Sequence, residues 1–229
     1  MARREGRLRV PAPGPDRPDR EVGWIACRPR GAEALLVLAH GAGAGMRHPF
    51  MEALAEALAR HRVASFRYQF PYMEAGSRRP DHRVLLMATV RASVAEARRR
   101  VRGLPLLAGG KSMGGRMTSL AASEAPLPGV TGLVFAGFPL HPAGRPGAER
   151  AEHLAAVDLP MLFLQGRRDK LAEPSRIRRV VRSLGRRAEW LEIDEADHGF
   201  HVPKRSGRSD EEVIDELAAR VALFADDLG

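Results

Sequence analysis

Short runs built almost wholly of apolar residues recur along this chain, each followed by a glycine- or proline-marked loop and then by a longer amphipathic stretch. Ala34–Ala39, Val63–Arg67, Pro105–Gly109, Thr131–Gly137 and Met161–Gln165 are such runs, with Val22–Cys27 and Ala188–Ile193 as further strand candidates. A strand that is apolar on both faces needs cover on both faces, which a parallel sheet between two layers of helices supplies. In Pro49–His61, Phe50, Leu54, Ala57 and Leu58 recur at helical spacing, and proline stands at the start, where its missing N–H costs nothing. Val84–Val101 reads as a long amphipathic helix with an arginine-studded outer face and Asp81 placed to cap it. Met117–Ser123 and Pro174–Leu184 read as shorter helices, and Asp210 is placed to cap a last one through Leu228. The expected architecture is a three-layer α/β/α sandwich with a mostly parallel sheet.

A chain of 229 residues holds one such domain, expected over 21–229. An Arg- and Pro-rich arm over 1–20 precedes it, ordered only if Leu8 and Val10 find a sheet edge. That arm has no apolar core of a signal peptide, and Glu5, Asp16 and Asp19 argue against an organellar transit peptide. No run approaches the ~18 apolar residues of a membrane span. The single Cys27 can form neither an intrachain disulfide nor a cysteine-rich zinc site, which favours a cytoplasmic setting. The net charge of +9 invites a nucleic-acid reading. Yet all but three of the 37 basic residues are arginines scattered over the arm, helix faces and loops, and aromatics make up only 5%. Neither nucleic acid nor membrane is expected as a partner, and oligomeric state is not readable.

In a parallel α/β sheet, chemistry gathers where strands end and the following loops begin. The most informative such loop is Gly110-Lys111-Ser112-Met113-Gly114, a G-x-S-x-G between an apolar strand and a helix. A tight turn there, a nucleophile elbow, strains the serine and exposes its Oγ, with glycines on either side to let neighbouring strands pass. A phosphate-binding loop is excluded because Pro105 stands where its first glycine belongs, and the Gly41–Gly45 run lacks a dinucleotide fingerprint because Met46 replaces the third glycine. No cofactor is expected.

A serine hydroxyl needs a base, and the base needs an orienting carboxylate. His198 lies in a glycine-flanked loop before the last helix, and Asp169 just past an apolar strand, so Ser112, Asp169 and His198 follow in the order of a hydrolase triad. His198 and His201 are spaced as a metal pair might be, but the loop stops at Pro203 and brings no H-E-x-x-H glutamate, so no metal is expected. Two N–H donors must receive the developing oxyanion. Met113, after the nucleophile, and Ala42, in the loop His40-Gly41-Ala42-Gly43, are the candidates for that oxyanion hole.

With His40–Gly45 (H-G-A-G-A-G), Phe70–Glu74 (F-P-Y-M-E), Gly110–Arg116 (G-K-S-M-G-G-R), Gln165–Asp169 (Q-G-x-R-D) and Asp197–Phe200 (D-H-G-F), the chain resembles the alpha/beta-hydrolase superfamily. Within it the resemblance is to the small cap-less group related to dienelactone hydrolases, and it covers roughly Leu35 to Leu228. It implies Ser112 as nucleophile, His198 as base and then acid, and Asp169 as orienting acid. Dienelactone hydrolases proper use cysteine, which makes dienelactone itself a doubtful substrate here. His141–Pro160 is too short for a helical cap, so an open site is expected, walled by Phe70, Tyr72 and Met73 with Leu140 and His141 opposite. Glu74 is expected to pair with Lys111 or Arg116. The resulting expectation is a serine hydrolase, carboxylesterase-like, acting on a small-molecule ester. A thioesterase or peptidase with the same triad, or a hydrolase-fold interaction module without turnover, remain as alternatives.

Overall fold

All six residues of Ala34–Ala39 are buried, and they divide by parity. Leu35, Val37 and Ala39 join one apolar cluster while Ala34, Leu36 and Leu38 join the other, as the two-residue period of a strand covered on both faces demands. The computed structural model describes residues 2–12, 14 and 18–228; residues 13 and 15–17 of the expected arm, and both terminal residues, lie outside the described ones.

In chain order the first strands are β1 (Ala2–Val10), β2 (Arg20–Arg28) and β3 (Ala34–Ala39), then helix α1 (Pro49–Arg60) and strand β4 (Val63–Tyr68). A single turn of helix, α2 (Pro71–Glu74), and the long α3 (Arg83–Arg100) lead to β5 (Leu106–Lys111), α4 (Met113–Glu124) and β6 (Val130–Ala136). The remainder is β7 (Met161–Gly166), α5 (Pro174–Leu184), β8 (Ala188–Ile193) and α6 (Asp210–Asp226). The eight strands form one sheet in the order β1-β2-β4-β3-β5-β6-β7-β8. Pairing is parallel from β4 to β8, and antiparallel only for β1 on β2 and β2 on β4. With helices on both faces this is the three-layer α/β/α arrangement expected from the apolar runs.

Register brings the functional ends together. Ala39 lies beside Gly110, Lys111 beside Ala136, Ala136 beside Leu164, and Gly166 beside Ile193, so β3, β5, β6, β7 and β8 end along one rim. Because β3 sends the chain to β4 on one side and lies against β5 on the other, the rim at β3 and β5 is where post-strand loops diverge and leave a crevice. The connection from β6 to β7 holds one 3-10 helix, Glu149–Ala156, and no cap.

Ala2–Val10 pairs along its whole length with Arg20–Arg28, setting Leu8 opposite Val22 and Val10 opposite Arg20, with Leu8 and Val10 buried. Three local expectations are corrected. Asp81 does not cap α3, whose N-cap is His82; its carboxylate accepts the Tyr72 N–H at 2.8 Å and so serves the orphan donors of α2 instead. Asp210 is the first residue of α6, and Ser209 is the cap, in a reciprocal capping box with Glu212. Glu74 meets neither Lys111 nor Arg116, because α2 runs beside the antiparallel edge of the sheet. Its carboxylate accepts from Arg7 Nη1 at 2.8 Å and from the Gly23 N–H at 3.1 Å. No helix among the described residues is long and apolar enough to cross a membrane.

Candidate active site

Ser112 joins β5 to α4 with φ 51° and ψ −116°, a left-sided backbone conformation that a non-glycine residue adopts at a cost of roughly 1–3 kcal/mol. The turn is tight because β5 and α4 both press on the end of β3. A Cβ added at Gly110 or at Gly114 would lie 2.4 Å from the Ala39 carbonyl oxygen, so neither position admits a side chain without moving the sheet. The strain turns Ser112 Oγ outward at the rim, where the loop after β8 arrives.

His198 in that loop has its Nε2 2.9 Å from Ser112 Oγ and its Nδ1 2.7 Å from Asp169 Oδ2. Asp169 is 2% exposed, and three donors surround its carboxylate: the imidazole, Gln165 Nε2 at 2.5 Å on the same oxygen, and the Leu171 N–H at 2.8 Å on the other. Gln165 itself is held by the Phe138 N–H, which donates to its Oε1 at 2.9 Å. A carboxylate so surrounded presents one oxygen to the imidazole in one orientation, which places the proton on Nδ1 and leaves Nε2 free to accept from the serine. Gln165 was visible in the sequence only as part of the Q-G-x-R-D motif, and its bridging role follows from the ends of β6 and β7 being adjacent.

Lys111, the residue before the serine, points to the other side. Its Nζ donates to the His198 carbonyl at 2.6 Å and sits over the rings of Phe50 and Phe200, 5.7 and 5.5 Å from their centroids. Burial pulls its pKa down to about 8 against the opposing pull of Asp169 and Asp197. The ammonium thus ties the elbow to the histidine loop.

Ala42 and Met113 line a cavity together with Ser112, and their N–H groups donate to nothing among the described residues. His40, at the end of β3, holds the peptide that carries the Ala42 N–H. His40 Nε2 accepts the Phe70 N–H at 3.1 Å, so the proton is on Nδ1, which donates to the Gly41 carbonyl at 2.8 Å. That carbonyl belongs to the same trans peptide as the Ala42 N–H, and holding one end of a planar unit directs the other. Burial drives the His40 pKa down to about 4, keeping the ring neutral.

Two cavities flank Ser112. One, of about 400 Å³, is lined by Met113, Arg116, Met117, Arg150, Leu171 and Arg83 among others; the second, of about 380 Å³, by His48, Phe50, Met51, Lys111, His198 and Gly199 among others. Neither is lined by Phe70, Tyr72, Met73, Leu140 or His141. Phe70 and Tyr72 instead support the Ala42 loop from behind, Phe70 edge-on to His40 and Tyr72 through its Oη, which accepts the Gly43 N–H at 3.0 Å. Met73 packs partly buried against the core, Leu140 is buried there, and His141 is buried with its Nε2 3.0 Å from Glu173. They follow strands as expected, but their side chains fold inward, and the walls are left to α1, α3, α4 and to other residues of the post-strand loops, Pro139 and Arg150 among them. His201 turns away from His198 to Asp210, with Nδ1 2.8 Å from the carboxylate. No cluster of three or more His, Cys, Asp or Glu able to hold a metal ion occurs among the described residues.

The model of the alpha/beta hydrolase domain family matches residues 32–226. The chain belongs to that family. Among solved structures, this alpha/beta hydrolase is similar to an esterase domain from Rhodothermus marinus, with 14% identity over 100% of both chains and a TM-score of 0.73. It is also similar to a dienelactone hydrolase from Anabaena variabilis, with 19% identity over 97% of this chain and 98% of that one and a TM-score of 0.72. A serine hydrolase without lid from Xanthomonas campestris matches with 18% identity over 95% and 94% and a TM-score of 0.67. At these identities the likeness is one of fold, and it agrees with the cap-less architecture.

Proposed function

We propose that this alpha/beta hydrolase is a serine hydrolase that cleaves small carboxylic esters through an acyl-enzyme on Ser112. The observation that carries the reading is the unbroken relay from Ser112 Oγ through His198 to Asp169, at 2.9 and 2.7 Å, built from the ends of three different strands. In the first half-reaction Ser112 Oγ attacks the ester carbonyl carbon while His198 Nε2 takes its proton. The carbonyl oxygen becomes an oxyanion that the Ala42 and Met113 N–H groups receive, aided by the positive end of α4. Collapse expels the alcohol, whose oxygen takes the proton from His198. Water then attacks the acyl carbon with His198 again as base, and the C–Oγ bond breaks as His198 returns the proton to Ser112 Oγ, releasing the carboxylic acid. Asp169 keeps the ring in the required tautomer throughout. Two modest, uncapped cavities suit small acyl and alcohol groups, and the esterase among the structural neighbours points to the same bond.

Labelling with a fluorophosphonate tests whether the serine is activated without knowledge of the substrate. The wild-type chain is expected to label, and to hydrolyse nitrophenyl esters, with Ser112→Ala doing neither. A wild-type chain that stays unlabelled, or equal turnover by Ser112→Ala, would overturn the reading.

A further inference from the structure

The two cavities beside Ser112 stand in different relations to the proton path. An expelled alcohol must take its proton from His198 Nε2, and His198 lines the 380 Å³ cavity and not the 400 Å³ one. The alcohol part of an ester therefore occupies the His198 side, and the acyl part extends toward Met113 and into the larger cavity.

Three arginines meet there from three separate elements: Arg83 at the start of α3, Arg116 on the first turn of α4 and Arg150 in the 3-10 helix of the β6–β7 connection. Elsewhere arginines find carboxylates, as Arg99 and Arg100 do at Glu96, Arg178 at Glu192 and Arg60 at Asp215. Arg83, Arg116 and Arg150 form no ion pair among the described residues. Among the described residues Arg116 Nε is buried with no hydrogen-bond partner, and the Arg150 side chain makes one bond, from Nη1 to the His141 carbonyl at 3.2 Å. The single carboxylate in the lining, Asp81, has an oxygen committed to the Tyr72 N–H.

Such a grouping carries a cost. A guanidinium does not shed its proton at neutral pH, so partial burial and mutual repulsion are borne by the fold. Burial lowers the pKa of Arg116 first, with Arg150 and Arg83 adding to it, and burial lowers that of Arg150. The arrangement is also braced. His153, on the same 3-10 helix as Arg150, meets Ser119 of α4 at 2.7 Å, and burial beside Arg116 lowers its pKa to about 4, so it adds no charge of its own. That contact docks the Arg150 segment on the helix that carries Arg116.

The geometry points to an acyl group that carries its own anionic oxygens, a carboxylate or a phosphate, bound by Arg116 and Arg150 with Arg83 at the rim. This rests on the serine-hydrolase reading above. Planar guanidinium donors match both kinds of anion, and a low-dielectric wall strengthens the contact. For a dicarboxylic monoester, Ser112 Oγ bonds the ester carbon, the acyl C–O bond breaks, the alcohol leaves with the proton from His198, and water releases a dicarboxylate.

The test compares monomethyl glutarate with methyl butyrate by titration of released acid. The wild-type kcat/KM is expected to favour the anionic ester by about tenfold or more, and the preference should shrink at about 0.5 M salt. Arg116→Gln and Arg150→Gln should each collapse the ratio of the two kcat/KM values, and Arg116→Lys should retain part of it. Thermal unfolding of each variant shows that it is folded, and Arg150→Gln decides the matter if Arg116→Gln is not. Competitive inhibition by free glutarate or by inorganic phosphate tells which anion the site takes. A chain that labels with fluorophosphonate but treats the two esters alike, or keeps its preference in both glutamine variants, overturns this inference and leaves the hydrolase reading intact. If no ester is turned over and no label is taken, that reading fails, and calorimetric titration with glutarate and with phosphate still decides. Saturable binding lost in Arg150→Gln supports the anion site, and absence of binding overturns it.

Discussion

The cavity on the Met113 side of Ser112 and the one on its His198 side differ little in volume, yet arginines line the first while Phe50 and Met51 help to line the second. They share Ala42 and Ser112 and are otherwise built from different parts of the chain. The first is walled by the ends of α3 and α4 and by the β6–β7 connection. The second is walled by the loop after β3, by α1 and by the histidine loop. A charge also occurs in the second, but Lys111 there is engaged by the His198 carbonyl and two aromatic rings. The contrast teaches that a buried cation engaged by a carbonyl and two rings works as a brace, whereas half-buried guanidiniums without a carboxylate partner keep donors available to an anion.

The largest effect should come from the atom both cavities share. Ser112→Ala is expected to lower kcat by a factor on the order of 10⁴ or more for neutral and anionic esters alike. A loss confined to one class of ester would show that the cavities do not serve one nucleophile.

The next effect concerns the shared loop. His40 has a pKa of about 4 in the fold against 6.5 for the free side chain, so between these values the unfolded chain binds more protons. Stability is then full above pH 6.5 and falls as pH drops toward 4, by about 3 kcal/mol from this group. Denaturant unfolding at pH 4.5 and 7 should show the loss, with the His40→Gln variant lacking this share of it. His153, lowered to about 4 as well, contributes in the same direction. Equal midpoints at the two pH values would sink the neutral-histidine account of the Ala42 loop.

Gln165→Leu removes one donor from Asp169 and the acceptor of the Phe138 N–H without touching either cavity, and is expected to lower kcat about tenfold on both ester classes with little change in KM. On the His198 side alone, Lys111 titrates near 8 in the fold and 10.5 when unfolded. Its contribution to stability therefore rises from pH 8 to 10.5, and Lys111→Met should lack that rise in denaturant midpoints measured across the window. Smallest of all, Phe50→Leu should cut turnover of aryl-alcohol esters a few-fold relative to methyl esters, by roughly one lost aromatic contact. An effect on the acyl chain instead would reverse the assignment of the two sides.

The helix–strand alternation and the Ser112, Asp169 and His198 positions were legible because each depends on local pattern. A both-faced apolar run can only be a covered strand, and glycines at 110 and 114 follow from the Ala39 carbonyl being too close for a Cβ. The walls of the site were not legible. Phe70 and Tyr72 are as apolar as a lining residue should be, and only their burial behind His40 shows that they brace the Ala42 loop. The arginines at 83, 116 and 150 look in the sequence like the rest of a basic surface, and Glu74 looked free to pair with a nearby cation until β1 brought Arg7 to it.

By itself the sequence determined the kinds of element, their order and the chemistry available at each strand end, because hydrophobic period, turn glycines and functional-group type are properties of neighbours along the chain. The tertiary structure decided which charges are satisfied. Glu74 with Arg7 and Lys111 with the His198 carbonyl are pairs across 67 and 87 residues, and the unpaired arginines beside Ser112 are gathered from three elements. Coulomb and desolvation terms depend on distance and burial, which exist only once the sheet has brought those ends to one rim.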